Sequence, residues 1–115
     1  MKVNETVIKP LSGRGKDITY INRNDGKDVI WGQTHFFISN DLITQILNNY
    51  FVDPNRWYPL GADMIKPISG GLGEYIKNLC YSFSPRHATA IAAIMHKEKL
   101  IAFKNAKPIL LKRMC

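Results

Sequence analysis

The sequence predicts a small α+β protein, and three observations carry this prediction. Residues 17–38 hold runs of β-branched and aromatic residues separated by turn residues, which is typical of β-strands. Apolar residues then recur at helical spacing in the segments 40–51, 72–81 and 85–97. Two more apolar runs follow near the end of the chain. A chain of 115 residues has room for one domain, or for a small domain with an extension.

A β-hairpin is predicted at residues 17–32. Its strands are Ile18–Ile21 and Val29–Trp31, and Asn24–Lys27 between them is typical of a tight turn. The Asp-Gly pair in this turn tolerates the positive φ angles that such turns need. A third run, His35–Ile38, extends the sheet. The aromatic residues expected in the core of this sheet are Trp31, Phe36 and Phe37.

Two helices are predicted in the middle of the chain. The first begins after a cap within Ser39–Asp41 and ends near Phe51. Its apolar residues share one broad face: Leu42, Ile43, Ile46, Leu47, Tyr50 and Phe51. The second helix runs from Leu72 to about Tyr81. The proline- and glycine-rich connection between the two helices contains one short candidate strand, Met64–Lys66.

A third helix is predicted to begin with Ser84 as N-cap, followed by a proline, and to end near Lys97. One face of it is apolar and consists of Ala88, Ile91, Ile94 and Met95. The opposite face consists of Arg86, Thr89, Ala93, His96 and Lys97. After this helix, Leu100–Phe103 and Pro108–Leu111 are predicted strands joined by Lys104–Lys107.

The charge of the chain is concentrated at its C-terminal end. The formal net charge is +7, from 16 Lys and Arg against 9 Asp and Glu. Residues 86–115 alone hold seven basic side chains and one acidic side chain. A basic surface attracts phosphates regardless of base sequence, so this segment indicates an anionic partner. The alternative is a solvated cationic face that binds nothing.

The C-terminal part of the sequence resembles the winged helix-turn-helix superfamily of DNA-binding domains. The residues that carry the resemblance are Ser84–Met95, then Lys99–Ile101, then Pro108–Lys112. In that family a recognition helix is followed by a Gly-Leu-Ile-like entry into a two-stranded wing. Lys99 stands here where glycine is usual, so we expect a looser helix end.

The resemblance covers residues 70–115 and extends back to residue 39 under two conditions. The helix at 40–51 must be the first helix of the family, and the candidate strand Met64–Lys66 its first short strand. The chain is then an N-terminal β-hairpin extension, residues 1–38, followed by a winged-helix-like domain, residues 39–115.

The resemblance implies a non-enzymatic protein that binds double-stranded DNA without a cofactor, as a small transcription regulator. The residues it places in the major groove are Arg86, Thr89, Ala93, His96 and Lys97. The residues it places at the wing tip are Lys104, Asn105 and Lys107, with Lys112 and Arg113 as further phosphate contacts. A homodimer is compatible with this role.

Two alternatives come from other functional classes. The first is an adaptor or inhibitor that docks on an acidic protein surface, for which an apolar patch near Trp57 is needed. Trp57 could also stack on a base, although packing beneath the long connection is the simpler interpretation. The second alternative is a small nuclease or toxin that uses His35, His87 or His96. No histidine pair has metal-ligand spacing, and Ser84 has no evident base in the sequence.

The remaining features predict a soluble, untargeted protein in a reducing cytoplasm. Two cysteines, Cys80 and Cys115, are too few for a disulfide framework. The N-terminal residues show no basic region followed by an apolar stretch, and no run approaches the roughly 18 apolar residues that a membrane span requires. We therefore expect no contact with a membrane.

Overall fold

The computed structural model describes residues 5–62, 68–79, 82–105 and 108–114, and within them the chain has an α+β fold with two antiparallel sheets. The fold class expected from the sequence is therefore confirmed. The more detailed winged-helix assignment stays a prediction.

The first sheet has four strands in sequence order: β1 (Glu5–Ile8), β2 (Ile18–Asn22), β3 (Gly26–Trp31) and β4 (Thr34–Ser39). Each strand pairs antiparallel with the next. The predicted hairpin and the third strand are confirmed. The sequence interpretation missed β1, which adds an edge to the sheet.

The two faces of this sheet differ in burial. Ile18, Tyr20 and Val29 on the inner face are buried, and Trp31 and Phe36 on the same face are half-buried. The expectation that Phe37 lies in the core is wrong, because strand residues alternate between faces and Phe37 lies on the outer face, 41% exposed.

Gly26 is the first residue of β3, and glycine is required there for a different reason from the one expected. Its φ angle is not positive. A Cβ atom at this position would lie 2.5 Å from Cζ of Phe37 and 2.4 Å from the carbonyl oxygen of Ile38. The close approach of β4 therefore selects glycine here.

The first helix, α1 (Asn40–Gln45), continues into a π-helical turn at Ile46–Tyr50. The Ser39 hydroxyl accepts a hydrogen bond from the Leu42 amide, which confirms the predicted cap. The wider turn is closed by the Phe51 amide, which donates to the Ile46 carbonyl. The broad apolar face expected from the sequence is buried at Ile43, Ile46, Tyr50 and Phe51.

The connection after this helix contains a two-residue strand, β5 (Tyr58–Pro59), before the second helix, α2 (Leu72–Leu79). The candidate strand Met64–Lys66 lies outside the described residues. Gly73 in the first turn of α2 packs on the backbone of Gly61, since a Cβ at Gly73 would lie 2.2 Å from the Gly61 carbonyl oxygen.

The third helix, α3 (His87–Lys97), is buried on almost every side. Its alanines leave room for close neighbours all around the helix. The seven buried residues are Ala88, Ala90, Ile91, Ala92, Ala93, Ile94 and Met95. The helix begins later than the predicted cap implies, because the Ser84 side chain meets the imidazole of His87 and bonds no helix amide.

The C-terminal end of α3 is closed tightly, and the expectation of a looser end is wrong. Lys99 adopts the left-handed conformation, with φ of 63°. The Lys99 amide donates to the His96 carbonyl, and the Leu100 amide donates to the Met95 carbonyl. These two bonds make a Schellman motif, in which glycine is usual at the position of Lys99.

The second sheet has three strands in the order β5, β7 (Leu110–Arg113) and β6 (Ile101–Lys104). Both pairings are antiparallel, so the predicted C-terminal hairpin is confirmed. Its strands begin one or two residues later than predicted. Tyr58, Ile101 and Leu111 are buried on the inner face.

Buried side chains from both sheets and all three of these helices form one cluster. It includes Ile18 and Val29 from the first sheet as well as Ile101 and Leu111 from the second. The division at residue 38 into an extension and a domain stays a prediction. Within the described residues, no helix has the length and apolar character that a membrane crossing requires.

Candidate nucleic-acid interface

The outer face of the second sheet carries two lysines on neighbouring strands. Lys112 of β7 lies opposite Ala102 of β6, and Lys104 of β6 lies opposite Leu110. Because strand residues alternate between faces, these four residues share the face turned away from the buried Leu111. The inner face fixes the sheet to the core, and the outer face is partly open to solvent.

Trp57, directly before β5, brings the two lysines together. The Lys104 ammonium lies 4.6 Å from the centroid of the Trp57 ring, and the Lys112 ammonium lies 5.5 Å from it. Such cation–π contacts are worth about 0.5–1 kcal/mol at exposed sites. We call Trp57, Lys104 and Lys112 the lysine–tryptophan cluster. The guanidinium of the neighbouring Arg56 lies 5.1 Å from the Tyr58 ring.

The cluster combines positive charge with a flat aromatic surface. None of the salt bridges in the described residues includes Lys104 or Lys112, so their charge is not neutralised by a carboxylate there. Ammonium groups contact phosphates, and an indole ring stacks on sugars and bases. The arrangement can therefore hold a nucleic-acid backbone at the sheet surface.

The other residues expected at the wing differ in their surroundings. Asn105 is exposed directly after β6. Arg113 is half-buried, and its guanidinium donates to the Leu47 carbonyl (3.1 Å) and to Oδ1 of Asn48 (3.3 Å). Arg113 therefore ties the hairpin to the first helix. Lys107 lies outside the described residues.

The prediction that Ala93 faces a DNA groove is wrong. Ala93 is 2% exposed and lies at a cavity of about 340 Å³ whose walls include Ile8 and Leu11. The strand β1 and the loop after it cover this side of α3. Thr89, on the same predicted face, is half-buried. A helix covered in this way cannot enter a major groove along its length.

The charged residues predicted on α3 lie at its two ends. Arg86 precedes the helix and places its guanidinium 5.5 Å from the Trp31 ring. At the other end, Lys97 is exposed, and the His96 ring packs edge-on against Phe103 at 4.7 Å. Nδ1 of His96 lies 3.2 Å from the Ile101 carbonyl, which can only accept, so Nδ1 carries the proton. Contact of these residues with DNA stays a prediction.

The three histidines have different surroundings. His35 is exposed on β4, opposite Ile30 of the neighbouring strand. His87 packs against the rings of Phe36 and Phe83, with centroid distances of 4.9 and 5.0 Å. Burial lowers the pKa of His87, which favours its neutral form. Within the described residues, no group of three His, Cys, Asp or Glu side chains is placed to hold a metal ion.

Ser84 has a basic group within hydrogen-bond distance, contrary to the sequence interpretation. Its Oγ lies 3.0 Å from Nδ1 of His87. The Ser84 amide also donates to this nitrogen at 2.9 Å, so the lone pair of Nδ1 is already engaged. In the sequence, Ser84 lies three residues before His87 at the start of a predicted helix, and this spacing was the signal for the contact. These two contacts between Ser84 and His87 fix the start of α3.

A salt-bridged polar cluster joins the end of α3 to the first sheet. The Tyr20 hydroxyl donates to Oε2 of Glu98 at 2.7 Å, and Lys27 donates to Oε1 of Glu98 at 3.3 Å. Lys27 is only 7% exposed and also donates to Oδ1 of Asn22. Burial and the Glu98 carboxylate raise the pKa of Tyr20. This cluster holds α3 against the sheet.

Comparisons with protein-family models, curated proteins and solved structures return no match for this chain. Its candidate site is therefore defined by its own geometry. Trp57 is the residue of that site which the sequence interpretation assigned to packing. The sequence held no signal for its place in the site, because only the pairing of β5 with β7 brings Trp57 to the sheet that carries Lys104 and Lys112.

Proposed function

We propose that this protein is a non-enzymatic module that binds double-stranded DNA through the lysine–tryptophan cluster on the outer face of its second sheet. The contacts go to phosphates, so binding is largely independent of base sequence. In the cell it would act as a small cytoplasmic regulator through occupancy of DNA. The single observation that carries this proposal is the convergence of Lys104 and Lys112 on Trp57.

The charge distribution supports the proposal. Residues 86–115 hold seven of the 16 basic side chains and one of the nine acidic ones. Two of these seven, Lys104 and Lys112, lie in the cluster, and Arg56 extends the basic surface beside it. A localised positive surface supplies attraction to the regularly spaced phosphates of a duplex.

The order of the elements also supports the proposal. From α1 to β7 the chain runs helix, short strand, helix, helix and a two-stranded hairpin, which is the order that the winged-helix resemblance implies. The proposal uses the hairpin of that arrangement and not α3, because Ala93 on α3 is covered. For this reason we expect phosphate contacts and weak base preference.

The test is the salt dependence of duplex binding, measured by fluorescence anisotropy with the double variant K104Q/K112Q. We expect weaker binding to every duplex sequence. The slope of log K against log salt should become shallower by about 0.9 for each phosphate that the variant no longer neutralises. The matched control is R14Q/K77Q, which removes two charges at residues exposed elsewhere on the protein.

Four outcomes would contradict the proposal. The first is an unaltered slope in K104Q/K112Q, and the second is an equal reduction in the control variant. The third is competition by poly-glutamate as strong as competition by unlabelled duplex, which would favour the adaptor alternative. A single-stranded oligonucleotide of the same sequence that binds more tightly than the duplex would replace duplex DNA with single strands as the ligand.

A further inference from the structure

A second basic site, which shares no residue with the lysine–tryptophan cluster, lies at a cavity of about 420 Å³. Its lining comes from three segments: the loop after β1, the β3–β4 turn and the start of α3. The lining residues are Gly15, Lys16, Trp31, Gly32, Gln33, Thr34 and Arg86. Two of them are cationic, two have neutral polar side chains, and none is acidic.

Arg86 is held at this cavity by an aromatic ring. Its guanidinium lies 5.5 Å from the centroid of Trp31, which is half-buried on the first sheet. A cation–π contact of this kind restricts the guanidinium without neutralising its charge. Arg86 therefore has its donors free for a ligand, and none of the salt bridges in the described residues includes it.

Lys16 is positioned by the glycine in the turn. Gly32 has a φ angle of 61°, and a Cβ there would lie 2.9 Å from Cδ of Lys16. The absence of a side chain at Gly32 lets the lysine lie across the turn. The neighbouring Asp17 pairs with Lys9 at 2.7 Å, and no described salt bridge joins it to Lys16.

We propose that this cavity binds the phosphate group of a small phosphorylated molecule, as a site separate from the DNA-binding surface. A phosphomonoester carries a charge between about −1.5 and −2 at pH 7, so two cations match it better than they match the single charge of a carboxylate. The planar guanidinium of Arg86 can bond two phosphate oxygens, and Lys16 adds a point charge. Gln33 and Thr34 supply neutral donors.

The volume agrees with a ligand larger than the phosphate alone. Pockets for small molecules typically range over about 300–1,000 Å³, and this cavity lies within that range. The shared chemistry is the phosphate dianion, and its source is either free phosphate or an organic monoester. Inorganic phosphate and glucose 6-phosphate are the two probes that distinguish these sources.

The experiment follows the fluorescence of Trp31 in a W57F protein, because the chain has only two tryptophans. Glucose 6-phosphate and inorganic phosphate should each give a saturable change. Glucose, sodium acetate and sodium chloride at equal ionic strength should give none. Tighter binding of glucose 6-phosphate than of inorganic phosphate would identify the ligand as an organic monoester. Equal affinity for both probes would show that the cavity recognises the phosphate group alone.

The variants K16Q and R86Q should each weaken binding about tenfold or more, since each removes a charge-assisted hydrogen bond. The matched control is R14Q, which removes the same charge from the same loop but does not line the cavity. Its affinity should stay within about twofold of the parent. The indole N–H signal of Trp31 in a two-dimensional NMR spectrum gives a second readout in the protein with both tryptophans.

A response to acetate or sodium chloride equal to that of phosphate would overturn the proposal. So would a reduction of affinity in R14Q as large as that in K16Q, or no saturation with either phosphate probe. Failure here and failure of DNA binding are distinguishable. The variant K104Q/K112Q should bind the phosphate probes normally, and K16Q should bind duplex DNA within about twofold of the parent.

Discussion

The helix α3 and the hairpin of β6 and β7 follow each other in the chain, and both were expected to contact DNA. Their burial differs sharply. Seven of the residues of α3 are buried, including Ala93 in the middle of its predicted DNA face. The hairpin keeps one open face, on which Lys104 and Lys112 converge on Trp57. Two adjacent basic segments therefore differ in how much of their surface is open to solvent.

The difference in burial between α3 and the hairpin shows that a helical wheel identifies the residues of a face but not what that face contacts. A face made of alanine, threonine and charged ends can be a groove-reading surface or a close-packing surface. The neighbour that decides between them is β1, which comes from a segment that the sequence interpretation did not assign. In a two-stranded hairpin the alternation of buried and open residues is simpler, because only one face can pack on the core.

The largest effect is expected from a charge placed on the covered side of α3. Ala93→Asp should lower the free energy of unfolding by about 2–4 kcal/mol, because a carboxylate at this buried position loses its water, a cost that Lys9, Lys97 and Lys99 at the same cavity offset only in part. Urea denaturation followed by circular dichroism measures this change. A control, Lys97→Asp, alters an exposed residue of the same helix and should cost less than about 1 kcal/mol. Equal effects of the two substitutions would mean that Ala93 is open to solvent.

An intermediate effect is expected from the polar cluster that holds α3 against the first sheet. Glu98→Ala should destabilise the protein by about 1–3 kcal/mol, because the buried Lys27 loses its anionic partner. The lower part of this range allows for Glu98, whose side chain is 34% exposed. Thermal unfolding measures the change. If Glu98→Ala is as stable as the parent, α3 is held by apolar packing alone.

The smallest effect on stability is expected at the Schellman motif, and it has the opposite sign. Lys99→Gly should stabilise the protein by about 1 kcal/mol, since Lys99 adopts a left-handed conformation that glycine adopts without strain. The same substitution two positions earlier, Lys97→Gly, should cost up to about 1 kcal/mol at the helix end. Chemical denaturation of both variants measures whether each substitution raises or lowers the free energy of unfolding. A decrease of stability in Lys99→Gly would argue against the observed helix end.

Much of the fold could be predicted from the sequence because its signals are local. The Ser39 cap and the alternation in the C-terminal hairpin each depend on residues within a few positions of one another, whereas the glycine of the Asp-Gly pair is selected by contact with β4. The missed β1 has only four residues and is defined by its pairing with β2. Likewise, the left-handed Lys99 depends on the packing after α3 rather than on a favourable residue.

The candidate site was predictable only in part. Lys104 and Lys112 were expected to bind DNA from the charge of the hairpin. Their partner Trp57 is about fifty residues away in the chain, and only the pairing of β5 with β7 brings it to the same sheet. The cavity at Lys16 and Arg86 also joins distant segments, which the sequence alone could not bring together.

The most direct test compares two pairs of charges on one duplex at about 150 mM salt, where exposed charges more than roughly 8 Å apart are largely screened. The variant K104Q/K112Q removes the hairpin pair, and R86Q/K97Q removes the pair at the ends of α3. We expect the affinity of the hairpin variant to fall about tenfold or more and that of the helix variant to fall less than about threefold. An equal or larger reduction in R86Q/K97Q would contradict the assignment of DNA binding to the second sheet.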